Sequence, residues 1–303
     1  MQKTEWIWFD GTLVRWDAAQ VHVLTHSLHY GVGVFEGIRC YACHDGRSAI
    51  FRLPEHIARL HGSAHVLDLP MPFTREQVAD ACIEVVRANK LRECYLRPIA
   101  FFGDGEMGLN ARPATRVAVA AWPWGAYLGD EGIQKGVRLK TSSFQRFHVN
   151  TMMTKAKVSG HYVNSILAAR EARIAGYDEA LLLDTDGYVS EASGENIFIV
   201  TGGVLRTTAL PTVLGGITRD AVLAIAADLG IPTREDRFTR DEVYLADEAF
   251  FTGTAAEVTP IRELDDRRIG DGKPGPITRR IQELFFAIVQ GREERYRRWL
   301  AYI

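Results

Sequence analysis

Two apolar, β-prone runs flank an Asp-Gly pair in Trp6-Ile-Trp-Phe-Asp10-Gly11-Thr-Leu-Val-Arg-Trp16. Asp-Gly supplies the positive φ angles of a tight turn, so the stretch reads as a β-hairpin. The same signal predicts hairpins around Asp45-Gly46 and Asp186-Gly187. The period lengthens at Pro54, where Ile57, Leu60, Ala64 and Leu67 make one helical stripe behind a proline suited to a first turn. Arg59 lies beside that stripe, which predicts partial cover. Thr74-Arg-Glu-Gln77 is a capping box that opens a second helix, with Val78, Ala81, Cys82, Val85 and Val86 inward. Residues 94–102 and 117–122 read as strands, and alternation in the first puts Tyr95 and Arg97 on one face. Further strands are expected at 137–141, 179–183, 188–191 and 196–200. Val158, Tyr162, Val163, Ile166, Leu167 and Ala169 recur at helical spacing, and Gly176 ends that element. Leu214-Gly-Gly-Ile217-Thr218 runs glycines into a helix with Thr218 as the expected N-cap, and Thr239 caps a shorter one. Ile281, Leu284, Phe285 and Val289 mark the inner face of a C-terminal helix.

Glycines and aromatics concentrate at 123–132, the best linker in the chain. The expected division is a smaller N-terminal α/β domain over 1–124, an interdomain loop over 125–136, and a larger C-terminal domain over 137–303. A length of 303 residues, 47% apolar and 24% charged, is that of a globular protein with room for two cores. The net charge of -2 gives no electrostatic case for nucleic acid or an anionic membrane. No apolar run reaches the roughly 18 residues of a membrane span, and the N-terminus lacks a basic region followed by an apolar one. A cytoplasmic location is expected.

Four cysteines are too few for a disulfide framework in a chain this long. Cys40-Tyr-Ala-Cys43-His44 fits a haem-attachment string, so haem or redox binding through Cys40 and Cys43 is a reading from a different class. Its place at a hairpin and the missing export signal weigh against it. His61 and His65 sit one helical turn apart without a carboxylate ligand beside them, and no metal is expected. Gly31-Val-Gly33 suggests a dinucleotide fingerprint, but Glu36 stands where the third glycine belongs.

The chemistry concentrates at 144–162. Only seven of the 36 basic residues are lysines, and two of them, Lys155 and Lys157, sit in this stretch. A lysine in carboxylate-poor surroundings is a candidate base or Schiff-base nucleophile. Composition does not choose between the two. The glycine loop before Ile217 and the Gly253-Thr254-Ala255 turn are candidate phosphate cradles, because both offer backbone N–H groups. Glu191 is an acid in an otherwise apolar sheet. A lysine, phosphate donors, an arginine and a buried acid are the needs of pyridoxal 5'-phosphate.

Seven blocks in order carry a resemblance. They are His29-Tyr30-Gly31 through Phe35-Glu36-Gly37-Ile38-Arg39, Tyr95-Leu-Arg97-Pro98, Met107-Gly108, Trp124-Gly-Ala-Tyr127, Ser190-Glu191-Ala-Ser-Gly-Glu195-Asn196, Gly216-Ile217-Thr218-Arg219 and Thr252-Gly-Thr-Ala-Ala-Glu257. Together they resemble the bacterial biosynthetic branched-chain amino acid aminotransferases of fold type IV. The resemblance implies an α+β or α/β enzyme of two mixed domains with the cofactor site between them. It implies ping-pong transamination of Leu, Ile and Val with 2-oxoglutarate, giving branched-chain 2-oxo acids and glutamate.

It also assigns roles. The spacing from Asn150 to Tyr162 in the family pattern marks Lys157 as the Schiff-base lysine. Tyr162 meets the phenolic oxygen and Glu191 the pyridine nitrogen. Arg59, Ile217, Thr218, Gly253 and Thr254 hold the phosphate. Tyr95, Thr254 and Ala255 take the α-carboxylate, and Arg97 and Tyr30 the second carboxylate of glutamate. Phe35, Gly37, Trp124, Tyr127 and Leu109 line the side-chain pocket, Leu109 from a neighbouring subunit of a homodimer or hexamer. Many relatives carry proline where this chain has Met153, and proline or asparagine where it has Gly215. Two relatives of the same fold stay in view. D-amino acid aminotransferases carry Arg-x-His where this chain has Arg97-Pro98-Ile99. Aminodeoxychorismate lyases usually lack the Tyr-x-Arg block.

Overall fold

A computed structural model describes residues 2–125 and 128–303. In chain order it forms β1 (Trp6–Phe9), β2 (Thr12–Arg15), α1 (His26–Tyr30), β3 (Gly33–Phe35), β4 (Ile38–Ala42), β5 (Ser48–Phe51), α2 (Leu53–Val66), α3 (Arg75–Ala88), β6 (Cys94–Phe102) and β7 (Thr115–Trp122). There follow α4 (Gly129–Lys135), β8 (Val137–Thr141), α5 (Tyr162–Ile174), β9 (Glu179–Leu183), β10 (Val189–Ala192), β11 (Asn196–Thr201), β12 (Val204–Thr207) and α6 (Ile217–Asp228). The chain ends with β13 (Thr233–Glu235), α7 (Arg240–Tyr244), β14 (Glu248–Gly253), β15 (Glu257–Leu264), β16 (Arg267–Arg268), α8 (Pro276–Val289) and β17 (Leu300–Tyr302).

Two compact units result. The first holds Met1–Trp124, Ala156–His161 and Ala287–Ile303. Its sheet runs β17-β5-β4-β6-β7-β1-β2, with β3 also on β6, and every pairing is antiparallel. Asp10 and Gly11 turn the first hairpin at φ of 47° and 99°. The α2 and α3 stripes close over the sheet, burying Ile57, Leu60, Val78, Val85 and Val86 against Ile38, Leu96 and Val119. Thr74 and Gln77 cap α3 reciprocally. The second unit holds Gly125–Lys155 and Tyr162–Phe286. Its mixed sheet runs β10-β9-β8-β15-β14-β11-β12-β13, with β16 on β15. Phe198 and Phe250 stack at 5.0 Å inside it.

Three expectations change. The stretch 125–136 is not all loop, because Gly129–Lys135 winds into α4, where Glu131 and Lys135 pair across one turn. The 137–303 segment is not one domain. Ala156–His161 joins the first unit because Val158 bridges Val34, and the C-terminal residues join it because β17 pairs with β5. Lys157 therefore belongs to the first unit. Helix α5 presents the opposite face from the one its large residues suggest. It buries Ser165, Ala168 and Ala172, while Val163, Ile166 and Leu167 are 60%, 45% and 42% exposed. Small side chains let the helix sit close on β9, where Ala168 and Ala172 meet Ala180 and Leu182.

Candidate functional site

The first unit gathers its share of the site around β3, β6 and α2. Lys157 lies in an irregular segment held at both backbone groups. Its N–H donates to Ser63 Oγ at 2.9 Å, and its carbonyl accepts from Phe35 N–H at 3.1 Å. Lys157 Nζ stands 5.2 Å from the centre of the Phe35 ring. The guanidinium of Arg97 stacks on the same ring at 4.7 Å, and Nη2 donates to the Tyr95 hydroxyl at 3.4 Å. Arg97 Nε is buried without a hydrogen-bond partner, and no carboxylate among the described residues pairs with this arginine. Tyr95 meets Trp124 edge to face at 4.5 Å and Trp122 at 5.4 Å. A β-carbon at Gly37 would lie 1.8 Å from the Tyr95 hydroxyl, so only glycine lets Tyr95 stand there.

Arg59 is partly covered, as its place beside the α2 stripe predicts, with a side chain 16% exposed. Its Nε and Nη2 donate to Glu36 at 2.7 and 2.9 Å. His56 Nδ1 meets the same carboxylate at 2.7 Å. Burial pushes the Glu36 carboxyl up, but the charge of Arg59 and the hydrogen bonds of Arg59 and His56 outweigh it and hold it well below the usual range. Burial lowers the pKa of His56 against the opposing pull of Glu36. Glu36, His56 and Ser63 were not singled out as site residues from the sequence. An acid alone in Val-Gly-Val-Phe-Glu-Gly-Ile was the available signal.

In the second unit Glu191, on β10, is the centre. Arg146 Nε donates to its Oε1 at 2.8 Å, and Leu214 N–H to its Oε2 at 3.3 Å. Arg146 is braced by Ser165 Oγ at 3.1 Å and Asn164 at 3.3 Å, and its guanidinium faces the Phe147 ring at 4.7 Å. The sequence reading missed Arg146, whose signal was a lone cation between Phe144 and Phe147. Helix α6 starts one residue before the expected cap. Gly216 is the N-cap, with no side-chain hydrogen bond, and Thr218 lies inside the first turn. A β-carbon at Gly216 would fall 2.0 Å from Asn196 Oδ1, and Asn196 Nδ2 donates to the Leu214 carbonyl at 3.0 Å. The first-turn N–H groups of Ile217 and Thr218 therefore have no capping side chain over them, which suits an anion. Gly253 ends β14, and Thr254 and Ala255 turn half-buried into β15. Tyr162 opens α5, also half-buried. Lys155 donates to the Val213 carbonyl at 3.0 Å; burial lowers its pKa, with Glu191 opposing and Arg219 adding to the shift.

Leu109 was expected to serve the pocket of a neighbouring subunit, and Tyr30 to meet the second carboxylate of glutamate. Tyr30 packs on His26 at 4.5 Å and is 41% exposed, and Leu109 is 89% exposed. Tyr127 lies outside the described residues. Cys40, Cys43, Cys82 and Cys94 are buried free thiols, and Cys40 faces Cys94 across β4 and β6. His61 is engaged by the carbonyls of Ile57 and Phe73 at 3.0 and 3.1 Å. Among the described residues no cluster of His, Cys, Asp and Glu is suited to a metal ion, and no helix is long and apolar enough to cross a membrane.

Known proteins match this chain along its length. The sequence pattern of the amino-transferase class IV family matches residues 33–264. A branched-chain-amino-acid aminotransferase of Pseudomonas aeruginosa is 52% identical over 294 residues, covering 97% of this chain and 95% of the relative. The crystal structure of the Escherichia coli branched-chain amino acid aminotransferase superimposes with a TM-score of 0.96 at 47% identity, covering 98% of this chain and 99% of its own. Two crystal structures of a further branched-chain amino acid aminotransferase, from T.th., also superimpose with TM-scores of 0.96, at 50% identity, covering 100% of this chain and 99% of theirs. One holds pyridoxamine 5'-phosphate and the other N-(5'-phosphopyridoxyl)-L-glutamate.

Proposed function

Because this chain belongs to the amino-transferase class IV family, we infer that it is a pyridoxal 5'-phosphate enzyme exchanging amino groups between branched-chain amino acids and 2-oxoglutarate. The observation that carries the reading lies in the first unit. An aromatic wall of Phe35, Tyr95 and Trp124 stands beside Arg97, a half-buried cation with no carboxylate partner among the described residues. An apolar wall accepts the side chain of leucine, isoleucine or valine. Arg97 accepts the second carboxylate of glutamate, so one set of residues serves both substrates.

Each unit offers groups of the kind the cofactor needs. The uncapped start of α6 and the guanidinium of Arg59 suit a phosphate. Glu191, held by Arg146, suits a protonated pyridine nitrogen. When bound, pyridoxal 5'-phosphate supplies an aldehyde for the amino group and a ring that withdraws electrons from the substrate carbon. In this reading Ile217 and Thr218 N–H donate to the phosphate, joined by Arg59, Gly253 and Thr254. Tyr162 hydroxyl donates to the phenolic oxygen. The α-carboxylate is oriented by Tyr95 and the Thr254-Ala255 turn. Lys157 Nζ would take the proton from Cα of the donor amino acid in one half-reaction and, in the reverse half-reaction, deliver a proton to Cα of the amino acid formed from the 2-oxo acid.

The chain also reads as a homodimer or a larger assembly such as a hexamer. Leu109, Leu28 and Tyr30 in the first unit, and Val163 and Ile174 in the second, are 89%, 64%, 41%, 60% and 88% exposed, apolar side chains that subunit contacts would cover. Light scattering against the 33.9 kDa chain mass reads this directly. A cytoplasmic location agrees with four free thiols.

Borohydride reduction of the holoenzyme followed by peptide mapping tests the central assignment. The pyridoxyl label is expected on Lys157, and Lys157→Ala should lower leucine-to-2-oxoglutarate transfer by at least about a thousandfold, as removal of a covalent catalyst does. A label on Lys155, or full transfer in Lys157→Ala, refutes it.

A further inference from the structure

Glu36 is a wholly buried charge that the reaction itself does not use. Its carboxylate takes Arg59 Nε and Nη2 and His56 Nδ1, at 2.7, 2.9 and 2.7 Å. Side-chain exposure rises along the triad, from 0% at Glu36 and 1% at His56 to 16% at Arg59. The charge is thus sealed at its carboxylate end and reaches outward at the guanidinium. A buried ion pair is a poor way to gain stability, since apolar side chains of the same size usually do as well. Its value lies in direction. Arg59 has five N–H donors in a rigid plane, and committing Nε and Nη2 to Glu36 fixes that plane and turns the Nη1 side away from the carboxylate.

The same elements hold Lys157. His56, Arg59 and Ser63 fall on one face of α2, spaced three and four residues apart. Ser63 Oγ accepts the Lys157 N–H at 2.9 Å. Phe35, the neighbour of Glu36, donates its N–H to the Lys157 carbonyl at 3.1 Å, and Val34 bridges Val158. The Glu36 backbone is itself tied to the Pro98 carbonyl at 2.8 Å. Guanidinium and lysine segment therefore hang from one helix face and one short strand.

We propose that Glu36 and His56 are positioning residues for the cofactor phosphate, acting through Arg59, and that the α2–β3 frame sets the spacing between that arginine and the Lys157 segment. The proposal rests on the reading of Arg59 as a phosphate ligand. It requires that damage to the triad weaken binding through the phosphate and not through the aldehyde.

The full-length enzyme is stripped of cofactor and titrated with pyridoxal 5'-phosphate and, separately, with pyridoxal, which lacks the phosphate. Glu36→Gln should raise the Kd for pyridoxal 5'-phosphate about 10- to 100-fold, the usual loss with a charge-assisted hydrogen bond, and leave that for pyridoxal unchanged. His56→Gln should act in the same direction by about 3- to 10-fold, as for a neutral hydrogen bond. Arg59→Ala is the control. If it leaves pyridoxal 5'-phosphate binding intact, the phosphate reading of Arg59 fails. If it weakens binding while Glu36→Gln, folded by near-ultraviolet circular dichroism, binds like wild type or loses both ligands equally, the positioning inference is overturned. Should Glu36→Gln fail to fold, His56→Gln decides on the same two ligands by the same criteria.

Discussion

Arg97 shows what one side chain can settle. Its guanidinium rests on Phe35 at 4.7 Å and its only described hydrogen bond goes to a neutral hydroxyl. In the proposed reading glutamate would complete the pair, while leucine has nothing to offer it. Arg97→Leu should therefore raise KM for 2-oxoglutarate roughly 10- to 100-fold, the worth of a charge-assisted hydrogen bond. The half-reaction with leucine should stay within about threefold, since truncation removes no apolar wall. Single-turnover rates measured separately for leucine and glutamate check this, and an equal loss for both amino acids would refute the division of labour. Residues of this kind were legible in the sequence because their chemistry is unusual in its setting. Tyr95 and Arg97 share a strand face, and the scarcity of lysine marks Lys155 and Lys157 together without choosing between them. Their partners were not legible. Glu36 reaches Arg59 across 23 positions and Arg146 reaches Glu191 across 45, and no local pattern announces pairs brought together only by the fold.

Among the elements, hairpins and capped helices were plain because their signals are local. Asp10-Gly11 and the Thr74–Gln77 box act within four residues. Helix α5 misleads for a physical reason. Periodicity weighs large apolar residues, yet this helix packs through Ser165, Ala168 and Ala172, whose virtue is their lack of bulk. The cap of α6 was expected two residues late, at Thr218 instead of Gly216, for a similar reason. Threonine is the better N-cap by side chain, but Gly216 takes the position because Asn196 occupies the space of any β-carbon. Gly216→Ala should force Asn196 or the helix start to move, costing about 1–3 kcal/mol by the usual penalty for overpacking. Because Asn196 also holds the Leu214 carbonyl, cofactor affinity should fall along with the melting temperature. Thermal melts with and without cofactor check it. Unchanged holoenzyme melting would mean the glycine is dispensable.

At the scale of the molecule, the buried triad makes stability depend on pH. His56 is held neutral by burial, below its ordinary 6.5, and Glu36 is held ionised, below its ordinary 4.5. In both cases the unfolded chain binds protons more readily than the folded one, so acidification favours unfolding. The share from His56 is complete above about pH 6.5 and drains as pH falls toward its lowered folded value. That from Glu36 is complete above about 4.5 and drains below it. Melting temperature should decline from pH 6.5 downward, and His56→Gln should flatten the upper part of that decline. Parallel curves for variant and wild type would show that His56 does not titrate between the two states. The two-part organisation was legible from the linker at 123–132, but its true division was not, because the first unit is assembled from three separate lengths of chain.

That discontinuity has a consequence during synthesis. When residue 124 leaves the ribosome, β5 still has an open edge, and the segment that bridges Val34 has not been made. The second sheet, drawn from 125–286 without its own C-terminal addition, can close first. Only when Leu300–Tyr302 emerges does β5 gain its last partner and Phe51 its contact with Trp299. The first unit is thus finished after the second, and β5 carries an unpaired edge until Leu300–Tyr302 has been made.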